Sequence, residues 1–183
     1  MKEFKMCKSN VRQKIKTALK IVEFSDFECP SCKLLSSNLR VILLEYKNYV
    51  SLSFMNFPLD QSINENVKNE MHKNAGLAAL AGVSAAMQGD FWNYQNELFE
   101  NQPKLNREFL IGLAVKQGLD KEKFISGMDS DSAKKKVTQD IEAGKNINVT
   151  GTPALFINKK KVKYWNSPVV LRGIIEEEMR TNH

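Results

Sequence analysis

The stretch IVEFSDFECPSC, residues 21–32, decides the fold. The apolar run from Leu19 to Phe24 contains β-branched residues, which is typical of a buried strand. Pro30 suits the first turn of a helix, where its missing N–H costs nothing. Cys29 and Cys32 therefore stand at a strand–helix junction, and their spacing allows the two sulfurs to bond to each other. A single Cys-x-x-Cys at such a junction indicates a redox pair.

The residues after the cysteines predict a strand–helix–strand unit. One apolar helical stripe contains Leu35, Leu39, Ile42, Leu43 and Tyr46. Alternating residues over 50–55 predict a second strand, which Pro58 ends. Units of this length join two parallel strands by a right-handed crossover.

The middle of the chain changes character, because residues 64–146 contain helix patterns and no convincing strand. The predicted helices are 67–88, 90–101, 106–118, a short one from Asp120, and Asp131–Lys145. Strand character returns at Ala154–Ile157, which pairs in a hairpin with 161–165, and Pro168 opens a closing helix. Residues 1–18 are weakly patterned, with Phe4, Met6 and Val11 in a short first strand or an irregular arm. The helical block is interpreted as an insertion between two parts of one sheet.

Composition indicates an ordinary globular protein of 183 residues with a formal net charge of +6. The longest mostly apolar stretch, Ala75–Met87, is too short to span a bilayer. Lysines cluster at 134–136 and at 159–163, and we interpret both clusters as solvated surface. No nucleic-acid-binding signature accompanies them, so no nucleic-acid partner is expected.

Three cysteines, Cys7, Cys29 and Cys32, are too few for a disulfide framework. A tetrahedral zinc site needs about four ligands, and the further candidates are Cys7, His72 and His183. A second Cys-x-x-Cys is missing from the sequence, which argues against a zinc ribbon. A non-catalytic metal-binding module stays open as a minor alternative. Cys7 is interpreted as an unpaired residue, and His72 as a helix-surface or interdomain hydrogen-bonding residue.

Two separated motifs and the block between them carry a family resemblance. Residues 21–32 and the later VTGTPALFIN, residues 149–158, together resemble the DsbA-like branch of the thioredoxin superfamily. The stretches 74–86, 88–92 and 98–101 are similar to the inserted helical domain of that branch. The resemblance covers roughly residues 19–178.

The resemblance implies an α/β protein with a thioredoxin fold and an inserted all-helical domain. Residues 1–63 and 147–183 would form the discontinuous thioredoxin-fold domain, and 64–146 the insertion. The implied activity is thiol–disulfide exchange, with disulfide formation in substrate proteins as the leading function. No cofactor beyond a redox-active Cys29–Cys32 disulfide is implied, and no metal.

The resemblance also assigns roles to residues. Cys29 would be the reactive cysteine, Cys32 its resolving partner, and Glu23 the buried acid of the superfamily. Pro30 and Ser31 would support the pair, and a cis bond between Thr152 and Pro153 would face it. The implied partners are cysteine-containing protein substrates and a membrane quinone-linked reoxidase, DsbB-like or VKOR-like.

The chemistry of the residues is consistent with these roles. A free cysteine with a pKa of about 8.5 is mostly protonated at neutral pH, whereas a helix N-terminus stabilises a thiolate. Cys29 precedes the helix and is expected to be an exposed nucleophile, while Cys32 lies about one turn inside. Glu23 is either a proton donor or acceptor near Cys32, or a strand residue that faces solvent or pairs with Lys20. Asp26 is expected to be a turn or capping residue.

The direction of electron flow and the location stay open at this point. The dipeptide Pro30-Ser31 lacks the histidine of strongly oxidising members, so a reductase or isomerase is the alternative function. The lysine-rich segment 1–16 lacks the apolar part of a secretory signal. Because an oxidase is useful outside the reducing cytosol, we expect an extracytoplasmic protein, periplasmic or in the cell envelope, in a mature or excised form.

Overall fold

A five-stranded mixed sheet in the order β1-β3-β2-β4-β5 forms the frame of the molecule. The structure, a computed structural model, describes residues 11–12, 19–68 and 71–181. The strands are β1 (Val11–Arg12), β2 (Leu19–Ser25), β3 (Val50–Asn56), β4 (Ala154–Ile157) and β5 (Lys160–Val162). Strands β2 and β3 run parallel, as the sequence predicts, and the other neighbours pair antiparallel.

Strand β2 is the central strand of the sheet, and residues on both of its faces are buried. Its residue Ile21 pairs with Leu52 on one side and Ile157 on the other. A strand covered on both faces needs a continuous apolar run, which matches the sequence around it. The crossover to β3 is helix α1 (Pro30–Glu45), whose predicted apolar stripe is buried against the sheet. This arrangement places the start of α1 directly after the end of β2.

In the described chain, helices α2 to α6 lie between β3 and β4, and helix α7 follows the last strand. The bounds are α2 (Ala75–Met87), α3 (Phe91–Glu100), α4 (Arg107–Lys116), α5 (Lys121–Asp129), α6 (Asp131–Lys145) and, after the sheet, α7 (Pro168–Thr181). Asn106, Asp120 and Ser130 cap α4, α5 and α6 through their side-chain oxygens. The caps of α4 and α5 are the ones that the sequence predicts.

The predicted helix 67–88 is wrong in its first part, because α2 begins at Ala75. Polar side chains fix the preceding loop in turns: Asp60 accepts from the Ser62 and Gly76 backbone N–H groups, and Asn64 donates to the Pro58 carbonyl. Such side chains compete with helical backbone hydrogen bonds. His72 therefore lies in a loop and not on a helix surface.

The hairpin after β4 also differs slightly from its prediction. Asn158 and the next residue, Lys159, both have left-handed backbones, with φ of 48° and 70°. Two consecutive positive φ angles match a tight two-residue hairpin turn, so the return strand begins at Lys160. Asparagine tolerates the left-handed conformation better than most residues. The predicted strand 161–165 starts too late and ends too late.

One predicted lysine cluster is not uniformly solvated. Lys136 of α6 is largely buried and pairs with the buried Asp140, which also accepts from the backbone and side chain of Asn56. Lys134 and Lys135, its sequence neighbours, are exposed. The buried pair ties α6 to the end of β3.

Aromatic rings join the helical block to the sheet. Phe27, just after β2, stacks on Phe54 of β3, with ring centroids 5.1 Å apart. Phe91 and Phe99 of α3 pack on Phe54 and Phe27, each at 5.2 Å between centroids. Phe91 and Phe99 of α3 are therefore part of the core. Because Phe27 precedes Cys29 by two residues, this core also supports the cysteine loop.

Candidate active site

Cys29 occupies the N-cap position of α1, and Pro30 is the first helical residue. Both cysteines are free thiols. The exposed fraction is 6% for Cys29 and 0% for Cys32, so the expectation of an exposed Cys29 is wrong. Its sulfur lies beneath the Thr152 carbonyl, 3.6 Å from that oxygen. Pro30 and Ser31 are exposed and form the opening of the site.

The two thiols have opposite acidities. The pKa of Cys29 falls from 9.0 to about 6, mainly because the Cys32 thiol donates a hydrogen bond to its sulfur. The Thr152 side chain and the Cys32 backbone N–H lower this pKa further, whereas partial burial and the charge of Asp26 raise it. The pKa of Cys32 is raised well above 9.0, first by burial and then by Cys29. At neutral pH the pair therefore holds a thiolate at Cys29 and a thiol at Cys32.

Thr152-Pro153 is a cis peptide bond beside the cysteines. A groove of about 780 Å³ opens next to it, between residues 57–68 with Met71 on one side and residues 145–152 on the other, and Thr152 lines one wall. Apolar residues Phe57, Met71 and Val149 share this lining with lysines. The groove can accept an extended chain that approaches Cys29 along the Thr152 side.

Glu23 is fully buried in β2, between Phe54 and Leu155 of the neighbouring strands. Neither carboxyl oxygen has a hydrogen-bond partner among the described residues. Burial raises the pKa of Glu23 to about 8, so the carboxyl is protonated at neutral pH. The carboxyl borders a cavity of about 10 Å³ shared with Ser36 and Gln95, which has room for at most one water molecule.

Asp26 has more contacts than a turn residue requires. One carboxyl oxygen accepts from the Glu28 N–H at 2.7 Å, which is the expected turn contact. The other accepts from the Leu59 N–H at 2.7 Å and faces Nδ1 of His72 at 2.9 Å. The Asp26 backbone N–H points at the Cys32 sulfur, 3.5 Å away. His72 is thus a hydrogen-bonding residue, as the sequence interpretation expects, and its bond joins the loop before α2 to the cysteine loop.

Two residues from the helical part of the chain make further hydrogen bonds to the cysteine loop. Gln102, in the short 3-10 turn Gln102–Lys104, donates to the carbonyls of Phe27 and Cys29 at 2.8 and 2.9 Å. Asn74 donates from its backbone and side chain to Glu28. Sequence reasoning missed both partners, because separations of 46 to 75 positions leave no local pattern.

Within the described ranges, no group of three His, Cys, Asp or Glu side chains is arranged to hold a metal ion. Cys7 and His183, two of the candidate ligands, lie outside the described residues. In the same ranges, no helix combines the length and apolar character needed to cross a membrane.

Comparisons with known proteins agree on the type of domain. The family model for the DsbA-like thioredoxin domain matches residues 20–171. Disulfide bond formation protein D of Bacillus subtilis is 28% identical over 180 residues, covering 87% of this chain and 72% of that protein. The crystal structure of oxidised BdbD from Bacillus subtilis matches with a TM-score of 0.78 and 26% identity, covering 93% of this chain and 92% of that chain.

Other relatives are much longer than the chain. The Na(+)/H(+) antiporter NhaA 1 of Mycolicibacterium vanbaalenii is 29% identical over 170 residues, which cover 91% of this chain and 26% of the antiporter. The chain thus spans about a quarter of the length of the curated antiporters that it matches.

Proposed function

Because the chain belongs to the family of DsbA-like thioredoxin domains, we propose that it is a thiol–disulfide oxidase that introduces disulfide bonds into cysteine-containing proteins. Members of this family are thiol–disulfide oxidoreductases. The observation that carries the proposal is the contrast between the two thiols, with the pKa of Cys29 lowered to about 6 and that of Cys32 raised. A stabilised Cys29 thiolate stabilises the reduced pair, which makes the Cys29–Cys32 disulfide more oxidising.

The proposed cycle begins with a Cys29–Cys32 disulfide. A substrate thiolate attacks the Cys29 sulfur, and the bond between the two cysteines breaks. Cys32 leaves with the electron pair and takes up a proton. A second substrate thiolate attacks the substrate sulfur of the mixed disulfide and releases Cys29 as a thiolate. Two electrons have then passed to the cysteine pair, and the substrate has gained a disulfide.

Glu23 is the proposed proton donor to Cys32 in the first step and its acceptor when the pair is reoxidised. Burial supports this role, because the carboxyl with its pKa of about 8 holds a proton at neutral pH yet can release it. Cys32 needs such a partner, since its own pKa is raised and its thiolate is a poor leaving group.

Thr152 and Pro153 are the proposed docking point for substrate backbone. The Thr152 carbonyl lies beside the Cys29 sulfur, and the groove along residues 145–152 extends from it. A short extended segment that carries the substrate cysteine can pair with this backbone. Pro30 and Ser31, which form the exposed rim, are proposed to contact the same segment.

Reoxidation requires an electron acceptor outside this domain. We propose a membrane quinone-linked reoxidase, DsbB-like or VKOR-like, which takes two electrons from the reduced pair. The oxidase would work outside the cytoplasm, in a periplasmic or cell-envelope location, because thiols in the cytosol are kept reduced.

The test is the redox potential of the pair, measured by equilibration with glutathione buffers. A potential near that of DsbA, about −120 mV, would support the oxidase, whereas one near that of thioredoxin, about −270 mV, would support the alternative reductase. In parallel, Cys32→Ala is first converted to the Cys29–glutathione mixed disulfide with oxidised glutathione. Reduced substrate proteins should then displace glutathione and accumulate as mixed disulfides with Cys29, because Cys32 is not there to attack them. Cys29→Ala is the matched control and should trap none. Equal trapping by both variants would contradict the assigned roles.

A further inference from the structure

We propose that His72 is a positioning residue which, through its hydrogen bond to Asp26, holds the cysteine loop and makes the redox equilibrium of the pair depend on the charge of the imidazole. This inference rests on the proposed oxidoreductase function and adds a residue to its machinery.

The contact between His72 and Asp26 is short and largely shielded from solvent. The Asp26 side chain is fully buried, and the His72 side chain is 15% exposed. Their facing atoms, Oδ2 and Nδ1, are 2.9 Å apart. The Leu59 N–H donates to the same Asp26 oxygen, and the Leu59 carbonyl accepts from the His72 N–H. His72, Leu59 and Asp26 therefore form a closed set of hydrogen bonds that joins the loop before α2 to the cysteine loop.

Asp26 connects this set to both sulfurs. Its backbone N–H points at the Cys32 sulfur, and its negative charge opposes the formation of a thiolate at Cys29. A protonated His72 balances that negative charge, since an opposite charge within hydrogen-bond distance favours the ionised partner. The neutral imidazole keeps the hydrogen bond but removes the balancing charge.

The interaction also changes the acidity of His72. The pKa of His72 is raised, first by its hydrogen bond to Asp26, with smaller contributions from the charges of Asp26, Cys29 and Glu28. Below this pKa the imidazolium supports the Cys29 thiolate and the reduced pair. As the pH rises through the His72 pKa, the imidazole loses its positive charge. The Cys29 thiolate is then less stabilised, and the disulfide becomes less oxidising.

Of the other titratable groups near this contact, Glu28 adds negative charge that acts on His72. On the cysteine loop Glu28 faces the site and is held by Asn74. On the loop after β3 the buried Asp60 binds Gly76 and Ser62. Lys33 of α1 pairs with Glu100 of α3. Among the described residues, His72 is the basic side chain in contact with Asp26.

The first experiment uses the unaltered protein. The pKa of His72 is measured by NMR in the reduced and the oxidised states, with His183→Gln used to assign the signals. Thermodynamic linkage is reciprocal, so removal of the Cys29 thiolate by oxidation should lower the His72 pKa. An identical His72 pKa in both states would overturn the proposal.

The second experiment separates charge from hydrogen bonding. His72→Gln keeps a side-chain donor for Asp26 without a titrating charge, and Lys160→Gln, which breaks the distant pair with Glu178, is the matched control. Well below the His72 pKa measured by NMR we expect His72→Gln to reduce the equilibrium constant for oxidation of glutathione about fivefold, and well above that pKa to leave it within about twofold of the parent. The equilibrium constant of Lys160→Gln should equal that of the parent at every pH.

The outcomes distinguish this inference from the proposed function. If the parent pair does not exchange with glutathione, the proposed function fails. If the parent exchanges and His72→Gln gives the same pH profile, only the role of His72 is contradicted. Should His72→Gln fail to fold, the NMR titration of the unaltered protein decides the question.

Discussion

At the scale of single residues, Glu23 is an ionisable side chain whose surroundings strongly disfavour its charged form. It sits fully buried in a strand that is otherwise apolar, and its carboxyl lacks a hydrogen-bond partner among the described residues. A carboxyl in such a site takes up a proton when the protein folds, because burial disfavours its charged form. The sequence left open whether Glu23 is buried or faces solvent, and the structure decides for burial.

The first prediction concerns the pH dependence of stability at this residue. The pKa of Glu23 rises from 4.5 to about 8 on folding, so the carboxyl destabilises the fold as the pH increases between these values. In the oxidised protein this group should remove about 3 kcal/mol of unfolding free energy between pH 4.5 and pH 7. Urea unfolding of the parent at several pH values in this range should show this decrease in the unfolding free energy.

Glu23→Gln is the matched variant, since it keeps the shape of the side chain and cannot titrate. Its unfolding free energy should lack this part of the slope, even if the buried amide itself costs about 1–3 kcal/mol at every pH. Parallel curves for the parent and Glu23→Gln would mean that Glu23 is ionised in the folded protein.

At the scale of elements, the cysteine loop depends on hydrogen bonds from outside its own strand and helix. The 3-10 turn Gln102–Lys104, between α3 and α4, contributes Gln102 to the carbonyls of Phe27 and Cys29. A glutamine that bridges two carbonyls restricts the backbone on both sides of Glu28. Without this side chain the Phe27 carbonyl would need water as a partner, whereas the Cys29 carbonyl would keep the N–H groups of Cys32 and Lys33.

The second prediction follows from that bridge. Gln102→Leu should lower the unfolding free energy by about 1–3 kcal/mol and speed hydrogen exchange at residues 27–29, because the Phe27 carbonyl loses its donor and the Cys29 carbonyl loses one of three donors. Gln88→Leu is the control, since Gln88 also makes two hydrogen bonds, to the backbone of Asp120, far along the chain from the cysteines. Unchanged exchange at residues 27–29 in Gln102→Leu would show that the bridge does not hold the loop.

At the scale of the whole molecule, the helical block packs directly against the sheet. Helix α6 approaches β2 so closely that a Cβ atom at Gly144 would lie 2.8 Å from the ring of Phe57 and 3.1 Å from that of Phe24. Both rings are buried and pack edge to face, so neither has room to move. The small residue at this position allows the two layers to share one core.

The third prediction tests this close approach. Gly144→Ala should destabilise the protein by about 1–3 kcal/mol despite the better helix propensity of alanine, because the added methyl overpacks the core. Gly112→Ala, in the exposed face of α4 with no atom near the added methyl, should stabilise by up to about 1 kcal/mol. Thermal unfolding of both variants gives the comparison, and a stabilised Gly144→Ala would contradict the packing.

The limits of the sequence prediction are clearest in the loop before α2. Helical periodicity predicted a helix from residue 67, but Asp60 and Asn64 use their side chains to hold turns instead. The other helices were predicted to within a few residues, since their caps and apolar faces are local signals. The boundaries proposed for the inserted domain, 64 and 146, stay a prediction.

The amino-acid sequence by itself determined the parallel strand–helix–strand unit, the helical block, the hairpin and the position of Cys29 at a helix start. These features depend on periodicity, capping and spacing over a few residues. Only the tertiary structure decided that Cys29 is covered by Thr152, that Glu23 has no partner among the described residues, and that His72 and Gln102 hold the cysteine loop. The physical reason is that these contacts join residues distant in the chain, whose approach depends on how the layers pack.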